Sequence, residues 1–160
     1  MDDESSIAFS SEIDLKQQLN LFSHLIGLFQ CNLWGIKPDG EIVLTNKIHA
    51  NSLFNMSSKE LIGKNGYDLM IGSGMNAQHA QMIRQNDQLV FRCDRIVVCD
   101  EKTLTFGQQR WYNSYKKKII VNGQPILIGC AVEITSLKLA QTAAQQSREY
   151  AARSSQAKTR

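Results

Sequence analysis

The chain has 160 residues, of which 42% are hydrophobic and 21% are charged, a balance typical of one globular domain with helical extensions. No apolar run approaches the roughly 20 residues of a membrane span. The N-terminus opens Met1-Asp2-Asp3-Glu4 and so lacks the basic start of a secretory signal. We therefore expect a cytoplasmic protein with no membrane partner.

The net charge of +3 is concentrated at the C-terminal end. From Lys138 onward there are five basic residues and one acid, Glu149, so the tail carries +4 and the rest of the chain carries −1. Such a tail is more often a solvated helix end than a nucleic-acid contact, and nucleic acid is not an expected partner.

Cysteine spacing gives no sign of a metal site. There is no Cys-x-x-Cys pair and no histidine at a metal-ligand spacing. In the cytosol we expect reduced and mostly buried thiols at all four positions, which are Cys31, Cys93, Cys99 and Cys130.

The N-terminal part divides into a polar, flexible segment (1–11) and an amphipathic helix (12–30), with Ser11 as its N-cap and Asp14 three residues later. Apolar residues recur in the helix with a period of 3.5, in steps of 4, 3, 4 and 3. They are Leu15, Leu19, Phe22, Ile26 and Phe29. This stripe favours packing on the domain's own sheet or on a second copy, as a homodimer.

Two strands (32–36 and 41–45) follow, joined by the turn Lys37-Pro38-Asp39-Gly40. The pattern then becomes helical at 48–54 and again from Ser57, which forms a capping box with Glu60. A third helix is predicted at 75–85.

Three further strands are predicted at 89–99, 104–120 and 124–134, and Asn122-Gly123 marks the last hairpin. In the second of these strands, Trp111, Asn113 and Tyr115 share one face. The tail (138–160) is predicted to be a connector or signalling helix with a thin apolar stripe. Strands in two blocks with helices between them indicate an α+β fold with one antiparallel sheet.

This order of elements resembles the PAS fold, and local strings strengthen the resemblance. Lys37-Pro38-Asp39-Gly40 stands where PAS domains carry their first hairpin turn, and residues 56–64 (MSSKELIGK) resemble the family's S-x-E-E-L-I-G-K helix. Asp68-Leu69, Asn122-Gly123 and Glu133-Ile134-Thr135 follow in the family's order, with Glu in place of the usual Asp. The resemblance covers about residues 31 to 138, with the domain itself at 31–137.

The resemblance implies a five-stranded antiparallel sheet with short helices on one face, flanked by an N-terminal and a C-terminal helix. It also implies a sensory module that binds a small molecule or cofactor in its core pocket and signals through the flanking helices to an output domain or partner. The alternative is a ligand-free interaction and dimerisation module with a filled core. We do not expect an enzyme, because no nucleophile elbow, P-loop, dinucleotide fingerprint or zinc pair is present.

The cofactor is left open by the family comparison. Flavin photosensors of the family carry a string like G-x-N-C-R-F-L-Q, and Gly66 stands here at the reactive Cys position, which argues against a flavin photoadduct. Haem-binding members take the iron with a His on the helix before the third strand, where this chain has His79. Arg95 resembles their distal Arg. Alternatively, His79 is a structural histidine that binds no haem.

Without haem, the resemblance implies a mostly apolar pocket with a few polar groups. Eight residues are therefore candidates for binding a ligand or cofactor: Trp34, Tyr67, His79, Met82, Arg95, Trp111, Asn113 and Tyr115.

Overall fold

The computed structural model describes residues 10–158, so most of the segment predicted to be flexible lies outside the described residues. The chain divides into two compact units after Gln30. The first unit contains helix α1 (Leu15–Leu28). The second contains all the remaining elements. No helix in the described part is long and apolar enough to cross a membrane.

Helix α1 begins three residues later than predicted. Its N-cap is Asp14 and not Ser11: Asp14 Oδ1 accepts the N–H of Gln17 at 2.8 Å, and Gln17 Oε1 accepts the N–H of Asp14 at 2.9 Å. This reciprocal capping box satisfies two backbone donors, which explains why the helix starts there.

The second unit contains a five-stranded antiparallel sheet in the order β2-β1-β5-β4-β3. The strands are β1 (Asn32–Ile36), β2 (Ile42–Thr45), β3 (Val97–Thr105), β4 (Gln108–Val121) and β5 (Gln124–Glu133). Four helices connect β2 to β3 and one follows β5: α2 (Lys47–Phe54), α3 (Ser58–Leu61), α4 (Gly66–Gly72), α5 (Ala77–Phe91) and α6 (Thr135–Lys158). This is the predicted α+β architecture.

The connecting helices and the sheet enclose the hydrophobic core. Ile36, Leu127 and Ala131 from the inner face of the sheet are buried with Ala50 of α2 and Ile83 of α5. Alternate residues of each strand face this core, so the register decides which side chains can reach an internal site. In this register, Tyr112, Ser114 and Lys116 of β4 are all buried.

Local turn and cap signals were predicted correctly where the residue types are distinctive. Ser57 and Glu60 form the expected capping box, and Asn122-Gly123 turns with φ of 50° and 75°. The strand predicted at 89–99 is wrong, because α5 continues to Phe91 and β3 begins only at Val97. The single strand predicted at 104–120 contains a turn at Phe106-Gly107, also with positive φ at both residues.

Candidate ligand-binding site

A cavity of about 50 Å³ lies between the inner face of the sheet and the connecting helices. A single water needs about 10–15 Å³ by a comparable measure, so the space suits a molecule of a few non-hydrogen atoms. Part of its wall is apolar and consists of Ile36, Ile42, Leu53, Phe54, Met70 and Ile83. The rest of the lining is largely polar and comes mainly from β3, β4 and α5.

The centre of the polar wall is a buried ion triad. Lys116 Nζ lies 2.7 Å from Asp87 Oδ1 and 2.5 Å from Glu101 Oε1, and the three side chains are 1%, 4% and 9% exposed. The other carboxylate oxygens are also bonded: Tyr67 donates its hydroxyl to Asp87 at 2.9 Å, and Ser114 donates to Glu101 at 3.0 Å. Three chain segments, α5, β3 and β4, are therefore held together at the cavity by charge-assisted hydrogen bonds.

The triad carries two acids and one base, so it has a surplus of one negative charge when all three groups are ionised. Burial raises the pKa of Asp87, although Lys116 acts in the opposite direction. Burial disfavours the ammonium of Lys116, but Asp87 and Glu101 outweigh that effect and hold the pKa of Lys116 above its ordinary value. Both shifts have the sign expected of a buried cluster with excess negative charge.

Two hydroxyls on the same wall lack a partner. Thr103 Oγ1 and the Tyr112 hydroxyl are buried and make no hydrogen bond within the described part of the chain, and both residues line the cavity. Thr105 Oγ1 is also buried without a partner, but Thr105 does not line the cavity. Buried polar atoms are nearly always hydrogen-bonded in native proteins, so unpaired hydroxyls on residues that line a cavity favour a polar occupant.

A second wall is formed by stacked rings. Trp34 stacks on His49 with ring centroids 5.4 Å apart, and His49 meets Phe54 edge-on at 5.4 Å. Trp34 lies flat on β5 because position 129 is glycine: a Cβ there would be 2.4 Å from the indole. His49 Nδ1 lies 2.9 Å from Thr45 Oγ1, and burial lowers the pKa of His49 to about 4, so the ring is neutral at pH 7.

The structure brings only two of the eight sequence-predicted site residues to the cavity. Trp34 and Tyr67 line it. Three others, Trp111, Asn113 and Tyr115, alternate with the buried residues of β4 and so lie on its opposite face. They do not line this cavity, because the inner face of β4 is the one that carries Tyr112, Ser114 and Lys116.

The remaining three candidates also lie outside the cavity. Met82 is 54% exposed and Arg95 is exposed, while His79 is half-buried in the first turn of α5. None of the three belongs to the cavity lining. The residues around the cavity therefore do not fit a haem held by His79, and the space is far smaller than a porphyrin needs. Gly66, at the reactive position of flavin photosensors, does line the cavity.

Sequence reasoning missed most of the polar wall: Asn32, His49, Asp87, Glu101, Thr103, Tyr112, Ser114 and Lys116. The alternation of side chains along β4 places Lys116 on the same face as Tyr112 and Ser114, so the sequence could have indicated that Lys116 points inward. No group of three or more His, Cys, Asp or Glu residues within 10–158 is arranged to hold a metal ion. The four cysteines are half-buried and not mostly buried as expected.

The outer face of β3 and β4 holds the start of α6. Two ammonium groups lie over the Trp111 ring, Lys102 Nζ at 5.8 Å and Lys138 Nζ at 5.3 Å from its centroid. Lys138 also pairs with Asp100 at 2.6 Å. The backbone N–H of Trp111 donates to Thr135 Oγ1 at 3.0 Å. These contacts tie the first turn of α6 to strand residues that are sequence neighbours of the cavity-lining Glu101 and Tyr112.

Comparisons with known proteins support the fold. No protein-family model matches the sequence, and a search of curated proteins finds no match. Similar solved structures include the PAS domain of an HTR-like protein from Haloarcula marismortui, with 15% identity, a TM-score of 0.55, and coverage of 74% of this chain and 96% of that one. The PAS domain of Bordetella pertussis BvgS has 15% identity, a TM-score of 0.57, and coverage of 82% and 98%.

A third similar structure is the PAS domain of the Cronobacter turicensis quorum-sensing receptor RpfR in complex with C12:0, with 20% identity and a TM-score of 0.52. The match covers 67% of this chain and 96% of that one. The chain therefore has the PAS fold, as the sequence resemblance predicted.

Proposed function

We propose that this chain is a cytoplasmic sensory module, and not an enzyme, that binds a small molecule in its core cavity and signals through α6 to an output domain or partner. The observation that carries the proposal is the lining of the cavity, which includes a buried ion triad and two residues, Thr103 and Tyr112, whose buried hydroxyls are unpaired. A core that served only for packing would gain stability from apolar residues at these positions. The RpfR domain, which is similar in fold, belongs to a quorum-sensing receptor and was solved in complex with C12:0.

Signal transmission to α6 is proposed because β3 and β4 border the cavity on one face and contact α6 on the other. Glu101 and Tyr112 face the cavity, and their neighbours Asp100 and Trp111 contact Lys138 of α6 on the other face. An occupant that moves Glu101 or Tyr112 also moves the backbone that holds this contact. Occupancy can bias the position of α6 only if the occupant binds more tightly to one position of α6 and its strand contacts than to another.

Retention of a ligand tests the binding part. We expect the native mass spectrum of the freshly purified chain to show a species heavier than the polypeptide, which returns to the polypeptide mass on denaturation. Ala131→Leu adds bulk to a buried position of the cavity wall and should abolish the heavier species. The control Val121→Leu changes an exposed residue and should retain it. A wild-type spectrum showing the bare polypeptide alone would contradict binding and favour the filled-core alternative.

We further propose that the chain forms a homodimer through α1. Dimerisation is also the function that a ligand-free interaction module would have. Leu15, Leu19, Phe22 and Phe29 of the predicted stripe are 71%, 63%, 41% and 59% exposed. Apolar surface of this extent on one helix is typical of a contact with another chain. The period of 3.5 residues suits two such helices side by side.

The double substitution Leu19→Asp with Ile26→Asp places two charges in the stripe and should convert dimers to monomers in sedimentation analysis at micromolar concentration. The matched pair Asn20→Asp with Ser23→Asp adds the same charge outside the stripe and should leave the dimer intact. A wild-type protein that sediments as a monomer, or a stripe variant that stays dimeric, would show that α1 is not the dimer contact.

A further inference from the structure

The chemistry of the cavity wall restricts the class of ligand, an inference that rests on the proposed binding function. The cationic side chain of the wall, Lys116, already gives two of its three N–H groups to Asp87 and Glu101. His49 is neutral and engaged with Thr45 and Trp34. The lining thus offers an anionic ligand no cationic group other than Lys116, whose ammonium is already paired with two carboxylates.

The same wall offers acceptors that are not used. Glu101 lies directly opposite Tyr112 in the register, and Thr103 is two residues further along β3, so all three side chains point to the inner face. The Glu101 carboxylate accepts from Ser114 and Lys116 on different oxygens and interacts with the Cys99 thiol, and its two oxygens have four lone pairs in all. Together with the hydroxyl oxygens of Thr103 and Tyr112, three side chains of the wall can receive further N–H donors.

We propose that the cavity binds a small organic cation, a primary amine with a short apolar body. Its ammonium group donates to Glu101, Thr103 and Tyr112, and its positive charge balances the surplus negative charge of the triad. The apolar body packs on the apolar part of the lining, which includes Ile42 and Phe54. A primary ammonium has three N–H donors, which the three acceptor side chains can receive, and its charge suits a site beside two carboxylates.

The test compares three probes that share a branched body, isobutylamine, isobutanol and isobutyrate, titrated into the purified chain and followed by protein NMR. We expect isobutylamine to bind at least about tenfold more tightly than isobutanol, and isobutyrate not to bind. The variant Thr103→Val with Tyr112→Phe keeps the shape of the wall and should weaken the amine about tenfold or more. Thr105→Val removes a buried hydroxyl outside the cavity and should leave amine binding unchanged.

Equal binding of the amine and the alcohol, preference for isobutyrate, or no binding of the amine would each overturn the inference. An unchanged affinity in the Thr103→Val with Tyr112→Phe variant would overturn the assignment of the ammonium to this wall. None of these results decides whether the cavity binds a ligand at all. If native mass spectrometry shows a bound species in wild type that is absent in Ala131→Leu, the cavity binds a ligand of another class. If Thr103→Val with Tyr112→Phe does not fold, Glu101→Gln takes its place, with the same expected loss of amine affinity.

Discussion

Lys116→Met should lower the free energy of unfolding by about 3–5 kcal/mol, the usual effect of removing one partner from a buried ion pair. The substitution preserves most of the side-chain volume but leaves Asp87 and Glu101 buried with no cation beside them. Urea denaturation at pH 7, followed by tryptophan fluorescence, measures the change. Because protonation relieves two unpaired carboxylates, the loss should shrink as the pH is lowered.

Two variants control this experiment. Lys118→Met removes an ion pair with Asp94, whose side chain is 91% exposed, and such surface pairs contribute at most about 1 kcal/mol. Lys116→Met combined with Asp87→Asn and Glu101→Gln removes all three charges and should recover much of the lost stability. A Lys116→Met protein within about 1 kcal/mol of wild type would mean that the triad does not exist in the folded chain.

His49→Gln should remove a large part of the acid sensitivity of the fold. The folded-state pKa of His49 is lowered to about 4 from the ordinary 6.5, so the unfolded chain binds a proton more readily. The neutral ring therefore contributes stability that is present above pH 6.5 and is lost as the pH falls towards 4. A shift of this size corresponds to about 3 kcal/mol at its fullest, since one pKa unit is about 1.4 kcal/mol.

The measurement compares urea unfolding at pH 7 and pH 4.5. Between pH 7 and pH 4.5, the free energy of unfolding of wild type should fall by about 2–3 kcal/mol more than that of His49→Gln. This difference does not depend on any stability that the variant loses at pH 7 through weaker contact with Trp34. His24→Gln replaces an exposed histidine and should follow wild type. Equal losses in wild type and His49→Gln would show that the ring is not buried and neutral in the folded protein.

The fold was predictable because its signals are local. Turn pairs such as Asn122-Gly123 and the capping box of Ser57 and Glu60 depend on residues a few positions apart, and both are present as predicted. The errors have physical causes. Leu89, Val90 and Phe91 form a short apolar run that suits a strand or a buried helix equally well. Phe106 turns with positive φ, a conformation that a large side chain rarely adopts and a sequence seldom announces.

The site was less predictable because it depends on contacts between distant segments. Lys116 meets Asp87 across 29 positions and Glu101 across 15, and no local pattern reveals such pairing. In sequence, Lys116 belongs to a run of three lysines that suggests a solvated strand end. The aromatic residues Trp111 and Tyr115 suggested the inner face of β4, yet that face is the polar one.

The proposed influence of the cavity on α6 is tested most directly by hydrogen–deuterium exchange of the full chain. Ala131→Leu, which fills the cavity, can be compared with wild type and with Val121→Leu. We expect Ala131→Leu alone to alter exchange in the first turn of α6 and in the β3–β4 pairs around Asp100 and Trp111. Changes confined to the immediate neighbours of Ala131, with α6 exchanging as in wild type, would contradict it.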